Sequence, residues 1–201
     1  MGAGTFKWNW FIADFDKHFA QWKEILPWHL VGSLPEQIAQ LQPALGEGYT
    51  ITDGVAVHAT ARIEPHVVLK APVIIGPACF VASHAYLRGG VYLMGNNLVG
   101  PGCEIKSSLI FPHTNLAHFN FVGDSILGAG CNFEAGSVIA NHFNEREDKT
   151  IVVKVAGERI NTHTNKFGAL VGDGGKVGAN AVLSPGTVLE PRTVVARLQL
   201  I

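Results

Sequence analysis

The clearest pattern in the chain is a hydrophobic position that recurs at every sixth residue from residue 51 onward. The first ten members of this series are all aliphatic: Ile51, Val57, Ile63, Leu69, Ile75, Val81, Leu87, Leu93, Val99 and Ile105. Turn-forming residues are frequent between them, as in the run Gly100-Pro101-Gly102. An aliphatic period of six residues with turns between predicts a parallel β-helix, in which each hexad supplies one short strand and one turn.

Three hexads close one triangular coil of 18 residues, and successive coils stack at the strand spacing of about 4.8 Å. We therefore predict an all-β fold, a left-handed parallel β-helix over residues 51–201. The series shifts by two residues between Ile105 and Leu109, and it stops over residues 142–166. We expect it to resume after these breaks through the inward residues Asn115, Phe121, Leu127, Phe133 and Ile139, and then Val171, Val177, Leu183, Leu189, Val195 and Ile201.

The interruption at residues 142–166 is the most charged stretch in the chain. Residues 150–155 and 159–162 flank the turn-forming pair Ala156-Gly157, which predicts a β-hairpin that protrudes from the coil. Insertions and register breaks on a regular solenoid are where function usually resides.

Residues 1–50 carry a different pattern and are predicted to form a helical cap. Phe11, Phe15 and Trp22 recur at helical spacing, and a second short helix is expected from an N-cap at Ser33 to about Leu45. We expect both helices to pack their aromatic faces on the β-helix. Residues 2–5 (GAGT) follow no strand, so we interpret them as a flexible N-terminus and not as a phosphate loop.

Composition narrows the function classes. The formal net charge is −1, and only 15% of the residues are charged, with 23 glycines among 201 residues. A nearly neutral chain gives no electrostatic reason to expect a nucleic-acid or membrane partner, and low charge with abundant glycine favours a repeat protein or an oligomer. No apolar stretch reaches the length of a membrane span and no signal peptide is evident. We therefore expect a cytoplasmic protein.

The three cysteines, Cys79, Cys103 and Cys131, fall on inward small positions of their hexads, so we expect buried, unreactive thiols. His66 and His84 are 18 residues apart and should stack on one corner of neighbouring coils. The spacing of His113 and His118 is similar to that of zinc ligands in gamma-class carbonic anhydrases. That family has a third histidine near residue 77, where this chain has Pro77. A zinc enzyme therefore stays an alternative, although we expect no metal.

Two stretches carry a more specific pattern. They are Glu104-Ile-Lys106 with Ala117-His118-Phe119-Asn120-Phe121-Val-Gly123-Asp124, Asn132, Gly136 and Asn141, and Asn165-Lys166-Phe167-Gly168 with Gly172-Asp173. Together they resemble the C-terminal acetyltransferase domain of bifunctional sugar-1-phosphate nucleotidylyltransferases, the bacterial uridylyltransferase/glucosamine-1-phosphate acetyltransferase and its archaeal relatives. The resemblance covers residues 51–196.

The resemblance implies N-acetylation of an amino-sugar phosphate or a nucleotide-linked amino sugar by acetyl-CoA, as co-substrate, without a covalent intermediate. The catalytic positions would be His118 as general base, which suits an imidazole because histidine ordinarily titrates near pH 6.5, and Asn141. The other implied contacts are with the sugar phosphate (Arg88, Lys106, Lys166), the sugar (Phe121, Asn132) and the pantetheine (backbone amides near Ala135 and Ala179). The family also implies a homotrimer with its sites between subunits.

Two positions depart from the family pattern. Phe121 stands where the family has tyrosine, and Ala179 stands where it has serine, so two hydroxyl groups are missing. A catalytically silent protein that binds a sugar phosphate or a nucleotide sugar is therefore the second interpretation. Residues 1–50 are too few for a nucleotide-binding sheet, so we expect no nucleotidylyltransferase activity.

Overall fold

The computed structural model describes residues 6–201. Its helical elements all lie before residue 46: α1 (Phe15–His18), α2 (Pro27–Leu41) and the 3-10 turns Trp8–Trp10, Ala20–Trp22 and Gln42–Ala44. The expectation for residues 2–5 lies outside this described range. No helix within it is both long and apolar enough to cross a membrane.

The strands follow in a single run along the chain. Over residues 6–201 they are β1 (Tyr49–Thr52), β2 (Val55–His58), β3 (Arg62–Ile63), β4 (Val68–Leu69), β5 (Val73–Ile75), β6 (Phe80–Val81), β7 (Tyr86–Leu93), β8 (Leu98–Val99), β9 (Glu104–Ile110), β10 (Asn115–Leu116), β11 (Phe121–Gly123), β12 (Ile126–Leu127), β13 (Asn132–Phe133), β14 (Val138–Ile139), β15 (Val152–Val155), β16 (Glu158–Asn161), β17 (Ala169–Val171), β18 (Lys176–Val177), β19 (Val182–Leu183), β20 (Thr187–Leu189) and β21 (Val194–Val195).

These strands stack coil on coil into a parallel β-solenoid, which confirms the predicted β-helix. Each coil has three sides, so the solenoid has three faces, which we call the third face, the covered face and the charged face. The third face is a seven-stranded sheet of β3, β6, β8, β10, β13, β18 and β21. The covered face consists of β2, β5, the end of β7, the end of β9, β12, β17 and β20. The charged face consists of β4, the start of β7, the start of β9, β11, β14 and β19.

The interior of the prism is filled by the aliphatic side chains of the six-residue series. Leu87, Leu93, Val99 and Ile105 are all inaccessible to solvent, and parallel neighbours such as Val73 and Val91 are 18 residues apart. Alternation along each short strand directs one side chain into the core and the next one outward, so the period of six is sufficient to specify the prism.

The register differs from the prediction between Ile105 and Leu127. The inward residues are Ile110, Leu116 and Val122, whereas Asn115 is exposed and Phe121 points outward. The corner at Ser107, within β9, is one residue shorter than the corner of the previous coil, where Gly89 and Gly90 form a bulge. Because a shift of one residue exchanges the two sides of a strand, Asn115 and Phe121 turn outward. A second step of five residues, from Val122 to Leu127, completes the shift of two, so Leu127, Phe133 and Ile139 lie in the interior as predicted.

The start of the series is also different. Ile51 lies in β1, which pairs antiparallel with β2, and 47% of it is exposed. The stacked coils therefore begin with β2, and β1 covers the first edge of the solenoid.

The N-terminal segment covers the side of the solenoid and does not close its end. Its aromatic residues, among them Phe15 and Trp22, are buried against outward side chains of the covered face such as Ile74, Leu109 and Leu170. Asp173 fastens this segment, because its carboxylate accepts hydrogen bonds from the amides of Ala13 (2.9 Å) and Ala129 (2.7 Å).

The helices do not have the predicted bounds. α2 begins at Pro27, six residues before Ser33, because the apolar pattern Trp28, Val31, Leu34, Ile38 continues through that serine. The Ser33 hydroxyl bonds to carbonyl groups of the preceding helical turn and caps nothing. The expected first helix is reduced to α1 and two 3-10 turns, since bulky aromatic residues have modest helix propensity and here their rings stack on one another, as Trp8 does on Phe15.

One glycine permits the close approach of α2 to the solenoid. Gly90 has a positive φ of 88°, and a Cβ atom there would lie 2.8 Å from the Cα atom of Pro35. A side chain at this position would separate the helix from the corner of β7.

The inserted hairpin is confirmed, with β15 and β16 paired antiparallel about Ala156-Gly157. It does not project away from the coil as expected. Ile151, Val153 and Val155 are buried in the same cluster as the N-terminal aromatic residues, so the hairpin folds back over the covered face. Alternation along β15 gives it one apolar side, and burial of that side determines its orientation.

The cysteine and histidine predictions are confirmed. Cys79, Cys103 and Cys131 are buried, and burial raises the pKa of each thiol, for Cys131 to about 12. The rings of His66 and His84 are stacked with their centroids 5.4 Å apart.

Candidate functional site

The charged face carries most of the residues for which the sequence predicts a function. It is bounded by two corners of the prism. The His118 corner, between the third face and the charged face, holds His118, Ala135 and Ala179. The Lys106 corner, between the charged face and the covered face, holds Lys106, Asp124 and Asn141. Stacking of successive coils brings these residues together, although they are up to 61 positions apart within a corner, from His118 to Ala179.

The Lys106 corner is organised around one carboxylate. Lys106 Nζ donates to both oxygens of Asp124, at 2.8 and 2.7 Å, and Asn141 Nδ2 donates to Asp124 Oδ2. The lysine side chain is 17% exposed and the aspartate side chain 7% exposed. Asp124 thereby orients Lys106, which the resemblance assigns to phosphate binding, and Asn141, which it assigns to catalysis.

Lys166 enters the same corner where the insertion returns to the solenoid. The amide of Phe167 donates to the carbonyl oxygen of Asn141 (3.1 Å), and the amide of Gly168 donates to that of Asp124 (2.9 Å). Lys166 itself is exposed. The chain segments of Lys106, Asn141 and Lys166 are therefore neighbours.

Arg88 lies one coil before Lys106, in register with it. Its Nε atom donates to Glu104 Oε1 at 2.7 Å, and both side chains are about one third exposed (36% and 34%). Arg88 and Lys106 therefore each have a carboxylate partner already. Sequence reasoning missed Glu104 and Asp124 as site residues, although both lie within the quoted motif. Both could have been found from their spacing, because Glu104 is two residues from Lys106 and Asp124 is 18 residues, or one coil, after it.

The His118 corner is a column of backbone turns. The amide of Gly136 donates to the carbonyl oxygen of His118 (2.8 Å), and the amide of Asn180 donates to that of Ala135 (3.0 Å). These bonds stack His118, Ala135 and Ala179 on consecutive coils. His118 is exposed, and its neighbour Phe119 is 71% exposed.

The backbone amide of Ala179, predicted to contact the pantetheine, is already hydrogen-bonded to the side chain of Glu134. The amide of Ala179 donates to Glu134 Oε2 at 2.9 Å. Arg197 makes two hydrogen bonds of 2.7 Å to the same carboxylate, and these bonds, with that of Ala179, hold the pKa of Glu134 down at about 2. Asn132 lies on the third face and lines a cavity of about 310 Å³ with Glu134, Lys176 and Arg197.

Phe121 lies between the two corners on the charged face, in register with Glu104. Its ring leans toward Gly123, because Phe121 Cε1 would be 2.9 Å from a Cβ atom on that glycine. His118 and Gly123, the register partner of Lys106, are five residues apart, so their backbones are separated by at most about 17 Å. The predicted base, His118, thus lies at the edge opposite the predicted phosphate-binding side chains, whereas Asn141 lies on their side. An acceptor that lies across this face would contact both edges.

No group of three or more His, Cys, Asp or Glu side chains within residues 6–201 is placed to hold a metal ion. His113 and His118 stand on different corners of the prism, after the covered face and the third face respectively.

The carboxylate of Asp124 can be tested separately from activity. We expect Asp124→Asn to lower the free energy of unfolding by about 1–3 kcal/mol, less than the loss for a fully buried ion pair, because Lys106 keeps some access to water. Glu104→Gln, which removes the more exposed partner of Arg88, should cost less than about 1 kcal/mol. Urea unfolding of both variants measures the difference, and equal losses would contradict the central role of Asp124.

The chain matches no protein-family model. It is 32% identical over 179 residues to the bifunctional protein GlmU of Methanococcus maripaludis, an alignment that covers 87% of this chain and 43% of that protein. It is 38% identical over 104 residues to the bifunctional sugar-1-phosphate nucleotidylyltransferase/acetyltransferase of Sulfurisphaera tokodaii, covering 51% of this chain and 25% of that one. The chain thus spans less than half the length of these relatives.

Among solved structures, the fold is similar to that of a hexapeptide transferase family protein from Anaplasma phagocytophilum, with a TM-score of 0.47 and 18% identity over 74% of each chain. The relatives named above confirm the resemblance that the motifs indicated. The chain is a homologue of the bifunctional sugar-1-phosphate nucleotidylyltransferase/acetyltransferases, built as a hexapeptide-repeat β-helix.

Proposed function

We propose that this protein is an acyltransferase that uses acetyl-CoA to N-acetylate an amino-sugar phosphate or a nucleotide-linked amino sugar. The observation that carries the proposal is the arrangement of the charged face. The exposed imidazole of His118 lies at one edge of this face, and Lys106, ion-paired with Asp124, lies at the other, in a homologue of named acetyltransferases. Composition and fold alone would not distinguish an enzyme from an inert solenoid.

In this proposal the acceptor lies across the charged face with its phosphate near Arg88, Lys106 and Lys166. Glu104 and Asp124 keep two of these cations in place, so the phosphate meets donors that are already oriented. Asn141 faces the acceptor from the same corner, and Phe121 forms an apolar floor between the edges.

The transfer itself is a direct displacement. His118 takes a proton from the sugar amine as the nitrogen attacks the thioester carbonyl carbon, the new C–N bond forms, and the C–S bond breaks. The leaving thiolate of CoA then receives a proton, which balances the reaction without a covalent enzyme intermediate. The donor would run along the column of Ala135 and Ala179, beside the cavity that Asn132 lines. We propose that a homotrimer completes the donor site between subunits.

The experiment is a screen of the purified chain with acetyl-CoA and a panel of amino-sugar 1-phosphates and nucleotide-linked amino sugars. Release of free CoA is followed, and the product is identified by mass spectrometry. We expect sugar-dependent CoA release and an N-acetylated product. A panel that gives neither, with no binding of acetyl-CoA by calorimetry, overturns the proposal.

A second candidate is a protein that binds the sugar ligand without turnover. Two observations favour it: Phe121 offers no hydroxyl group, and the Ala179 amide is already bonded to Glu134. Calorimetry separates the two candidates, because an enzyme must bind acetyl-CoA as well as the sugar, whereas the silent protein binds only the sugar.

A further inference from the structure

The cationic part of the charged face extends one coil beyond the residues of the predicted site. β4 pairs with β7 so that Val68 and Leu69 stand opposite Tyr86 and Leu87, and the amide of Lys70 donates to the carbonyl oxygen of Leu87 (2.8 Å). Lys70 therefore occupies the coil position of Arg88. Lys70, Arg88 and Lys106 form a column of outward cations on three consecutive coils, about 4.8 Å apart at the backbone.

The charges along this column are not equally compensated. Glu104 pairs with Arg88 and Asp124 pairs with Lys106, whereas Lys70 makes no salt bridge to any carboxylate of the described chain. Among the described residues, the four cations Lys70, Arg88, Lys106 and Lys166 form salt bridges with only these two carboxylates. The uncompensated positive charge of this column is therefore at Lys70, one coil before Arg88.

Tyr86 holds Lys70 close to Arg88. The ammonium of Lys70 lies 5.2 Å from the centroid of the Tyr86 ring, and the guanidinium of Arg88 lies 5.9 Å from the same centroid. A cation over an aromatic face is attracted to it, but two cations at one ring repel each other, and Glu104 offsets only one of them. An anion seated between Lys70 and Arg88 would relieve this repulsion and gain charge-assisted hydrogen bonds from both.

We propose that Lys70 and Tyr86 form a second anion subsite next to the sugar-phosphate position, and that the acceptor therefore carries a diphosphate. One phosphoryl group would lie at Arg88 and Lys106, and the next, joined to it by a bridging oxygen, would lie at Lys70 and Arg88. The acceptor class is then a nucleoside-diphosphate-linked amino sugar in preference to a sugar monophosphate. This inference rests on the proposed function in taking the charged face as the acceptor site.

The test compares glucosamine 1-phosphate, which has one phosphoryl group, with UDP-glucosamine, which has two, by calorimetry on the full chain without acetyl-CoA. We expect UDP-glucosamine to bind at least about tenfold more tightly than glucosamine 1-phosphate. Lys70→Gln should remove most of this preference while leaving the affinity for glucosamine 1-phosphate unchanged, and Lys70→Arg should restore it. The matched control is Lys154→Gln, an exposed lysine of the hairpin, which should leave both affinities as they are.

The outcomes separate this inference from the proposed function. If Lys70→Gln weakens both ligands equally, or if wild-type protein shows no preference for UDP-glucosamine, the second subsite is wrong even when acetyl transfer to a sugar 1-phosphate is observed. If the preference depends on Lys70 but no amino sugar is acetylated, the subsite stands and the enzymatic proposal fails.

Discussion

His118→Gln is expected to lower kcat for acetyl transfer by about 10²–10⁴-fold, the usual contribution of a positioned general base. The KM for the sugar should change little, because the phosphate contacts lie at the opposite edge of the charged face. The measurement is steady-state CoA release with the acceptor identified by the screen. Since His118 is exposed and its backbone carbonyl still accepts the bond from Gly136, the fold should be retained.

The matched control for this variant is His113→Gln. His113 is also an exposed histidine in a turn between stacked strands, but it stands on a different corner, beside the N-terminal segment. Its replacement should leave kcat within about twofold. Equal losses in the two variants, or an unaffected His118 variant, would remove the assignment of His118 as the base.

Gly100→Ala is expected to destabilise the solenoid by at least about 3 kcal/mol or to prevent folding. A Cβ atom at residue 100 would lie 1.5 Å from the carbonyl oxygen of Ala117 on the next coil, and that oxygen belongs to the backbone. The amide of Gly100 also bonds to Leu116 at 2.8 Å, so relieving the clash separates two coils. Because His118 follows directly on that coil, the candidate site would be lost together with the stacking.

Gly32→Ala serves as the control, since a Cβ atom there has no neighbour within 4 Å and the residue lies in the interior of α2. Alanine is favoured over glycine in a helix by roughly 0.5–1 kcal/mol, so this variant should be slightly more stable than wild type. Thermal and urea unfolding measure both changes. An unfolding free energy of Gly100→Ala within about 1 kcal/mol of wild type would contradict the packing described for the coils.

Sequence reasoning identified most of the scaffold but mistook its register between Ile105 and Leu127. The period of six located the interior residues from Val57 to Ile105, because alternation along a strand is a local property. The shift of two residues is divided between two short corners, one within β9 and one after β11, so the prediction of Asn115 and Phe121 as interior residues was wrong. An apolar residue such as Leu109 can be buried on either side of a strand, and here the N-terminal segment covers the outer side.

The candidate site was predicted in parts. His118, Asn141, Arg88, Lys106 and Lys166 came from a resemblance in motifs, and the structure arranges them along one face. The ion pairs with Glu104 and Asp124 and the bond from Ala179 to Glu134 were not foreseen, because each joins neighbouring coils and depends on the register between them.

The amino-acid sequence by itself determined the triangular coil, the burial of the cysteines and the presence of a hairpin, since all of these follow from side-chain alternation and turn residues within a few positions. Only the tertiary structure decided which face the N-terminal segment and the hairpin cover, and how the charges of the remaining face are paired. These features depend on contacts between residues one or more coils apart, and the lengths of individual corners set which residues meet.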